Sequence, residues 1–421
     1  MSMHRQRHQE RRRRQAQTQA RGGLIVSRAK RKGSPCQRDD DSQGADLEIH
    51  SGPSLPEDIL HHIHSLMPMR DAARAACVSH SFLHSWRCHP NLNFSKDALG
   101  LNKNVCQKDE SVRFFYIKVD HILKQHSGIG IKKLKIQIDS DYRAKGSCYL
   151  NSWLQKAVTP GIEELTLITF GAKGCDGIVC LKVPRLLQRL NYLLVSGCVK
   201  LKAIDNEAPN VSSFTFGAGR IIQLSLGETL QMKSLTMDCC GSVFYARAEL
   251  PSSMPNLEAL TVNSHTERDT PMLRSKFLHL RHLSIALNGV PFSPAYDYLS
   301  LASFFDAAPS LETFNLNVWQ RYMEHVSIFT DPEDLRQMPE LQHHKLKSVS
   351  ITGFSSAKSL IELTCHILES ITSLECLTLE APQSCIRCSH RGNKSGKCSP
   401  LVRDILMEGH RGIMAIRRGM S

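Results

Sequence analysis

The chain has 421 residues, of which 41% are hydrophobic and 22% charged, and its formal net charge is +13. This length allows two or three domains, and the composition is that of a globular protein that buries a sizeable core. No run approaches the roughly 18 apolar residues that span a bilayer, and the first residues, rich in Arg and Gln, do not resemble a secretory signal. We therefore expect an intracellular chain with no membrane partner.

Most of the positive charge lies in the first 32 residues, which hold 11 Lys or Arg side chains and one acid, Glu10. Because the rest of the chain is close to neutral, the charge argues against a nucleic-acid-binding domain. We expect residues 1–53 to be a disordered basic arm followed by an acidic linker. Two basic clusters are a candidate nuclear import signal and predict a nuclear or cytoplasmic location; a solvated tail or a weak RNA contact are the alternatives. The clusters contain Arg11, Arg12, Arg13, Arg14, Arg28, Lys30, Arg31 and Lys32.

Residues 54–94 have the spacing of three short helices. The first carries an apolar stripe at helical spacing, formed by Ile59, Leu60, Ile63 and Leu66. Asp71 is the expected N-cap of the second helix, and the third has Phe82, Leu83 and Trp86 on one face. Because about 40 residues rarely build a self-sufficient core, this unit should need a partner surface.

Further along, an apolar pattern at offsets 0, 3 and 5 recurs. Its first residues are Ile131, Ile162, Leu190, Val211, Ile221, Met232, Leu257, Leu280, Leu311, Leu346 and Leu374. Such L-x-x-L-x-L cores, with steps of 21 residues from Leu190 to Val211 and from Val211 to Met232, predict an irregular leucine-rich-repeat solenoid over residues 95–344. Parallel strands would line one side, helices or turns the other, and a helix over 105–125 would cap the stack. Unrelated strands of an α/β domain are the alternative.

The segment 345–380 predicts a strand, a helix and a second strand, with Ser355 or Ser356 as the helix N-cap. The fold class is therefore α/β: three helices, an irregular repeat solenoid, and a final strand-helix-strand unit within residues 345–421.

Residues 54–94 resemble the F-box, through Leu55-Pro56, the link from Met67 to Asp71, and Val78-Ser79 with Phe82 and Trp86. The segment 345–421 resembles the FBD domain. With the runs 148–154 and 247–251, the chain resembles the cereal-type F-box/LRR/FBD family. That resemblance implies a Skp-type adaptor as partner, a cullin reached through it, and an unknown protein substrate. The implied adaptor-facing residues are Leu55, Pro56, Ile59, Leu60, Ile63, Ala76, Val78, Ser79, Phe82 and Trp86; any one of them could instead hold the helices together.

The sequence indicates no catalytic or cofactor chemistry. It has no Walker loop, G-x-S-x-G elbow or H-E-x-x-H motif. Cys385, Cys388, His390 and Cys398 are close in sequence, but without a second C-x-x-C or H-x-x-x-H pair they are not assigned to zinc. His61 and His64 have helical spacing for a shared ligand, but a polar side facing solvent or a partner is the simpler interpretation.

These patterns and the resemblance predict a non-catalytic, substrate-recognition subunit of a cullin-RING (SCF-type) ubiquitin ligase. A scaffold protein acting outside a ligase, or a degenerate copy of the family, are the alternatives.

Overall fold

The computed structural model describes residues 55–101, 108–138, 146–169, 179–198, 200–225, 231–289, 296–320, 335–336, 338, 342–381, 407, 409–414 and 416. The basic arm, with its candidate import signal, and the Cys385–Cys398 cluster lie outside these residues. Among the helices described, none is long and apolar enough to cross a lipid bilayer.

Three short helices open the described chain: α1 (Glu57–Leu66), α2 (Met69–Ala76) and α3 (His80–Arg87). A proline is the N-cap of each of the first two helices, Pro56 of α1 and Pro68 of α2. The carbonyl of each proline accepts the first hydrogen bond of its helix. The predicted N-cap Asp71 is therefore wrong: it lies in the first turn of α2, where its charge complements the helix dipole. Ser79 caps α3, and its Oγ accepts from the Phe82 N–H at 3.5 Å.

Among the described residues, an 11-stranded parallel sheet forms the main body, in the order β1-β2-β3-β5-β7-β9-β10-β11-β12-β13-β14. Its strands are β1 (Asn91–Phe94), β2 (Lys133–Ile138), β3 (Glu164–Thr169), β5 (Tyr192–Ser196), β7 (Ser213–Gly217), β9 (Ser234–Asp238), β10 (Ala259–Ser264), β11 (His282–Gly289), β12 (Thr313–Gln320), β13 (Ser348–Thr352) and β14 (Cys376–Glu380). The middle residues of the predicted triplets are register partners from strand to strand, as with Leu134 and Leu165 or Leu235 and Leu260. Alternate residues are buried, as the period of two requires. The parallel repeat architecture is confirmed.

A second, three-stranded sheet runs behind the middle of the first. It consists of β4 (Cys180–Val183), β6 (Ala203–Asn206) and β8 (Gln223–Ser225). The triplet that starts at Ile221 belongs to β8 and not to the main sheet, so its assignment to the same series as the other triplets is wrong. Each of these three strands lies on the return path between two strands of the main sheet.

Helices occupy several of the other return paths: α4 (Lys108–Gln125), α5 (Gly146–Ala157), α6 (Ser242–Ala248), α7 (Leu250–Ser253), α8 (Ala302–Ala307) and α9 (Lys358–Ser370). The prediction that a helix over 105–125 caps the stack is wrong: β1 precedes α4 in the chain and pairs with β2, which follows α4. It is the crossover of the first repeat, and its Phe115 and Tyr116 rings pack on Trp153 of α5.

The C-terminal strand-helix-strand prediction agrees with β13, α9 and β14. The N-cap of α9 is Ala357 and not Ser355 or Ser356, although the Ser355 Oγ accepts from the Ala357 N–H at 3.4 Å. Residues 409–414 are helical, and Ile413 and Ile416 pack against the core.

Buried His89 and half-buried His126 join the helical unit to the sheet. His89 donates from Nε2 to the Met67 carbonyl and accepts at Nδ1 from the Asn91 N–H. His126 donates to the His89 carbonyl and accepts at Nδ1 from the Gly128 N–H. An accepting Nδ1 must be unprotonated, and burial lowers the pKa of both imidazoles below the ordinary 6.5.

We therefore expect the chain to lose stability as the pH falls below about 6.5. In that range the unfolded imidazoles take up protons that the folded ones, with their lowered pKa, do not, so the stabilisation present above pH 6.5 declines. The measurement is the denaturant midpoint between pH 7.5 and pH 6.0. The double variant His89→Gln/His126→Gln should show a shallower slope, and an equal slope in both proteins would contradict this origin.

Candidate functional site

Large apolar side chains of the three-helix unit face solvent. The exposed fractions are 50% for Leu55, 44% for Ile59, 40% for Ile63, 73% for Leu66 and 85% for Val78. On α1, Ile59, Ile63 and Leu66 follow one another at steps of four and three residues, so they lie on one side of the helix. We call these five residues the apolar face. Apolar exposure of this extent on a small helical unit is typical of a protein interaction site.

On the side of α1 that faces the other two helices, the buried side chain is His64, whereas Ile59 and Ile63 are exposed. His64 is buried, its Nε2 donates to the Ala72 carbonyl of α2 at 2.9 Å, and its ring lies 5.3 Å from that of Phe82 on α3. The expectation that His64 belongs to a polar side facing solvent or a partner is wrong. Because His64 joins α1 to both neighbouring helices, Ile59 and Ile63 are turned outward.

The ten predicted adaptor-facing residues fall into two groups. Leu55, Pro56, Ile59, Ile63 and Val78 are exposed, whereas Leu60, Ala76, Ser79, Phe82 and Trp86 are half-buried. Within the second group, Ser79 caps α3 and Trp86 packs against the sheet core, so both have structural roles. Leu66 is not among the ten predicted residues, yet it is one of the most exposed apolar side chains of the unit. Its position in the apolar stripe of α1 could have indicated it from the sequence.

A second candidate surface is the solvent side of the main sheet. From β7 to β14 of the main sheet, one row of register partners carries only uncharged hydroxyl and amide side chains, and we call it the polar row. The row consists of Thr215, Thr236, Thr261, Ser284, Asn315, Ser350 and Thr378. Short polar groups of this kind leave the backbone sheet open to close approach and offer hydrogen bonds without a charge preference.

A large aromatic side chain stands at one end of that surface. Trp319, near the end of β12, is 51% exposed and is the register partner of Asn288 on β11. Beside it, His265 donates from Nδ1 to the Asn288 carbonyl at 2.5 Å, and its Nε2 lies 3.4 Å from Asp238 Oδ1. Exposed Trp residues next to polar groups are frequent centres of protein interfaces. Sequence reasoning missed Trp319, because its exposure depends on the register.

A cleft of about 450 Å³ beside α6 is lined in part by Tyr245 and Glu267. Burial raises the pKa of Glu267, while hydrogen bonds from backbone N–H groups oppose that shift. The carboxylate accepts from Val243 N–H at 2.6 Å and from Phe244 N–H at 3.3 Å. Glu267 therefore anchors the start of α6, and a structural role accounts for it.

A helical trio with an outward apolar face, followed by parallel leucine-rich repeats with an open polar sheet, defines an F-box protein of the leucine-rich-repeat class. Two family models match the chain: the F-box domain over residues 53–93, and the model described as At1g61320/AtMIF1, LRR domain, over 122–174 and 170–421. The second alone covers more than half of the chain. The chain belongs to the plant F-box/LRR protein family.

Two relatives from Arabidopsis thaliana share this organisation in their names. F-box/LRR-repeat protein At3g58940 is 26% identical over 239 residues, which are 56% of this chain and 36% of that protein. FBD-associated F-box protein At1g66310 is 20% identical over 333 residues, 77% of this chain and 67% of that protein. The match thus spans only about a third of the first relative. The leucine-rich-repeat model also runs through residues 345–421, where the FBD-like unit is predicted.

Proposed function

We propose that this chain is a non-catalytic, substrate-recognition subunit of a cullin-RING (SCF-type) ubiquitin ligase. The F-box would bind a Skp-type adaptor and, through it, a cullin, while the repeats bind a protein target. The observation that carries the proposal is the apolar face, which lies within the segment that matches the F-box model.

The energetics of the apolar face support a partner. Burying one Leu, Ile or Val side chain from water is worth about 1.5–3 kcal/mol when complete. Five such side chains at 40–85% exposure therefore leave several kilocalories per mole to be gained by a complementary surface. The proposed chemistry is proximity alone: the chain holds a target lysine near a ubiquitin thioester borne by another subunit, which raises its effective concentration.

Co-expression tests the proposal directly. The full chain is produced with and without a Skp-type adaptor, and soluble complex is scored by size-exclusion chromatography. A stoichiometric complex supports the proposal that the chain is a ligase subunit. A chain that is soluble but does not bind the adaptor indicates a scaffold acting outside a ligase. Insolubility in both conditions indicates a degenerate copy.

The proposed target surface is the solvent side of the main sheet, centred on the polar row and Trp319. Trp319 offers a large, half-exposed aromatic side chain there, and the hydroxyl and amide groups beside it supply directional hydrogen bonds. The proposed import signal is Arg11–Arg14 with Arg28 and Lys30–Lys32. The proposed location is the nucleus, the cytoplasm or both.

We expect Trp319→Ser to lower target capture at least tenfold while adaptor binding and the unfolding temperature stay the same. The side chain is half exposed, so its loss removes contact area with little effect on packing. The measurement is quantitative proximity labelling, in which targets are the proteins enriched by wild type. Leu186→Ser, at 63% exposure in the turn after β4, is the matched control and should leave capture unchanged. Equal capture by the Trp319 variant and wild type would remove Trp319 from the target surface.

A further inference from the structure

Three potential metal ligands from two helices converge on the F-box surface. The Oε1 atom of Glu57 lies 3.6 Å from His61 Nε2 and 3.1 Å from His84 Nδ1. One ligand atom of each residue lies within 4.8 Å of the other two. The two imidazole rings meet edge to face, with centroids 5.8 Å apart.

We propose that Glu57, His61 and His84 form a three-ligand site for a divalent transition metal ion of the Zn²⁺ class. Zinc bonds to nitrogen and oxygen of about 2.0–2.1 Å in a tetrahedron place neighbouring ligand atoms about 3.3 Å apart. The two separations from Glu57 bracket that value. The third pair, the two imidazole nitrogens, closes by small rotations of solvent-accessible side chains, since His84 is 65% and His61 34% exposed.

The chemistry of the ligand set selects the class of ion. Two imidazoles and one carboxylate suit zinc and related transition metals, whereas Mg²⁺ and Ca²⁺ prefer oxygen ligands alone. Three protein ligands leave the remaining position to water. The site is distinct from the apolar face: Glu57 and His61 lie one helical turn apart on the side of α1 that meets α3, while Ile59, Ile63 and Leu66 occupy another side.

An ion bound here would connect α1 to α3 directly. Glu57 and His61 belong to α1 and His84 to α3, so the three ligands are assembled only when the helices are packed. An ion that binds the folded unit alone raises its stability in proportion to the logarithm of ion concentration over the dissociation constant. A three-helix unit of this size gains more than a large domain from such a link.

The sequence directs attention to a different pair, His61 and His64. The structure separates these two, because His64 is buried against the Ala72 carbonyl, and it provides His84 from a helix some 20 residues later. The convergence therefore depends on the packing of α3 against α1.

Zn²⁺ titration of the full chain, produced without a histidine tag, tests the proposal. Isothermal titration should show that wild type binds one more Zn²⁺ than His84→Gln does. If the variant still binds that ion, its dissociation constant should be at least tenfold larger than that of wild type. His61→Gln and Glu57→Gln should behave in the same way. Zn²⁺ should also raise the unfolding temperature of the F-box in wild type more than in these variants, and Mg²⁺ should raise it in none.

Two further variants separate a site from general histidine binding. His62→Gln and His80→Gln remove exposed histidines of α1 and α3 outside the cluster and should bind as wild type does. His84→Cys replaces one zinc ligand with another and should restore most of the affinity. Cysteines elsewhere contribute equally to wild type and to the Gln variants. Identical stoichiometry and affinity in wild type and His84→Gln would overturn the proposal and leave the cluster as a surface ion pair.

Discussion

Replacing Ile59 and Ile63 together with Asp should abolish binding of a Skp-type adaptor to the full chain. Both side chains point away from the helical core at 44% and 40% exposure, so the fold tolerates the change better than at Leu60. In the complex, two carboxylates would be buried against an apolar partner without counter-ions. If burying each carboxylate costs about 1.5–3 kcal/mol of binding free energy, the two together lower the affinity more than a hundredfold.

The measurement is the dissociation constant for the adaptor, together with co-purification from co-expressing cells. The matched control is Leu186→Asp/Leu278→Asp, which makes the same apolar-to-acid change at two exposed leucines of the repeats, 63% and 58% accessible. That control should bind as wild type does. If the Ile59/Ile63 variant keeps wild-type affinity, the apolar face is not the adaptor site and the proposed function loses its main support.

Arg247→Met should strongly destabilise the repeats. Arg247 of α6 is fully buried and donates to three carbonyls: Ser303 at 3.1 Å, Ser275 at 3.2 Å, and Leu273. Burial lowers the pKa of its guanidinium. Methionine fills part of the volume but leaves the buried Ser303 carbonyl and two partly buried carbonyls without this donor, and a buried unsatisfied carbonyl costs about 1–3 kcal/mol. We expect a loss of about 3 kcal/mol or more in the free energy of unfolding.

Chemical denaturation followed by circular dichroism measures this loss. Arg189→Met is the control, since Arg189 is 63% exposed and its contact with Glu163 at 2.8 Å is a surface ion pair worth at most about 1 kcal/mol. Arg247→Lys keeps the charge but not the planar donor set, and should fall between wild type and the Met variant. A Met variant as stable as the Arg189 control would show that the three carbonyl contacts contribute little.

The role of Arg247 could not be predicted from the resemblance to the family. The segment 247–251 helps to identify the family from the sequence, yet nothing in its composition says that an arginine there is buried. Its partners come from residues 273–303, far along the chain, so the role depends on the stacking of successive repeats. The same holds for Trp319, whose exposure follows from its register beside Asn288.

The sequence by itself determined the features that depend on local periodicity. Apolar residues at offsets 0, 3 and 5 predict strands with one buried side, and most of the triplets form consecutive strands of the sheet because the side-chain period of a strand is two. Helical spacing and proline positions likewise predict α1, α2 and α3, although prolines hold the caps of α1 and α2.

Only the tertiary structure decided which side of each element faces inward. On α1 the apolar stripe is divided, with Leu60 half-buried and Ile59, Ile63 and Leu66 outward, because the hydrogen bond from His64 to Ala72 orients the helix. The same packing brings His84 to Glu57 and His61. The sequence pattern predicts that a helix has an apolar side and a polar side. Contacts between residues distant in sequence determine which side remains exposed and available to a partner.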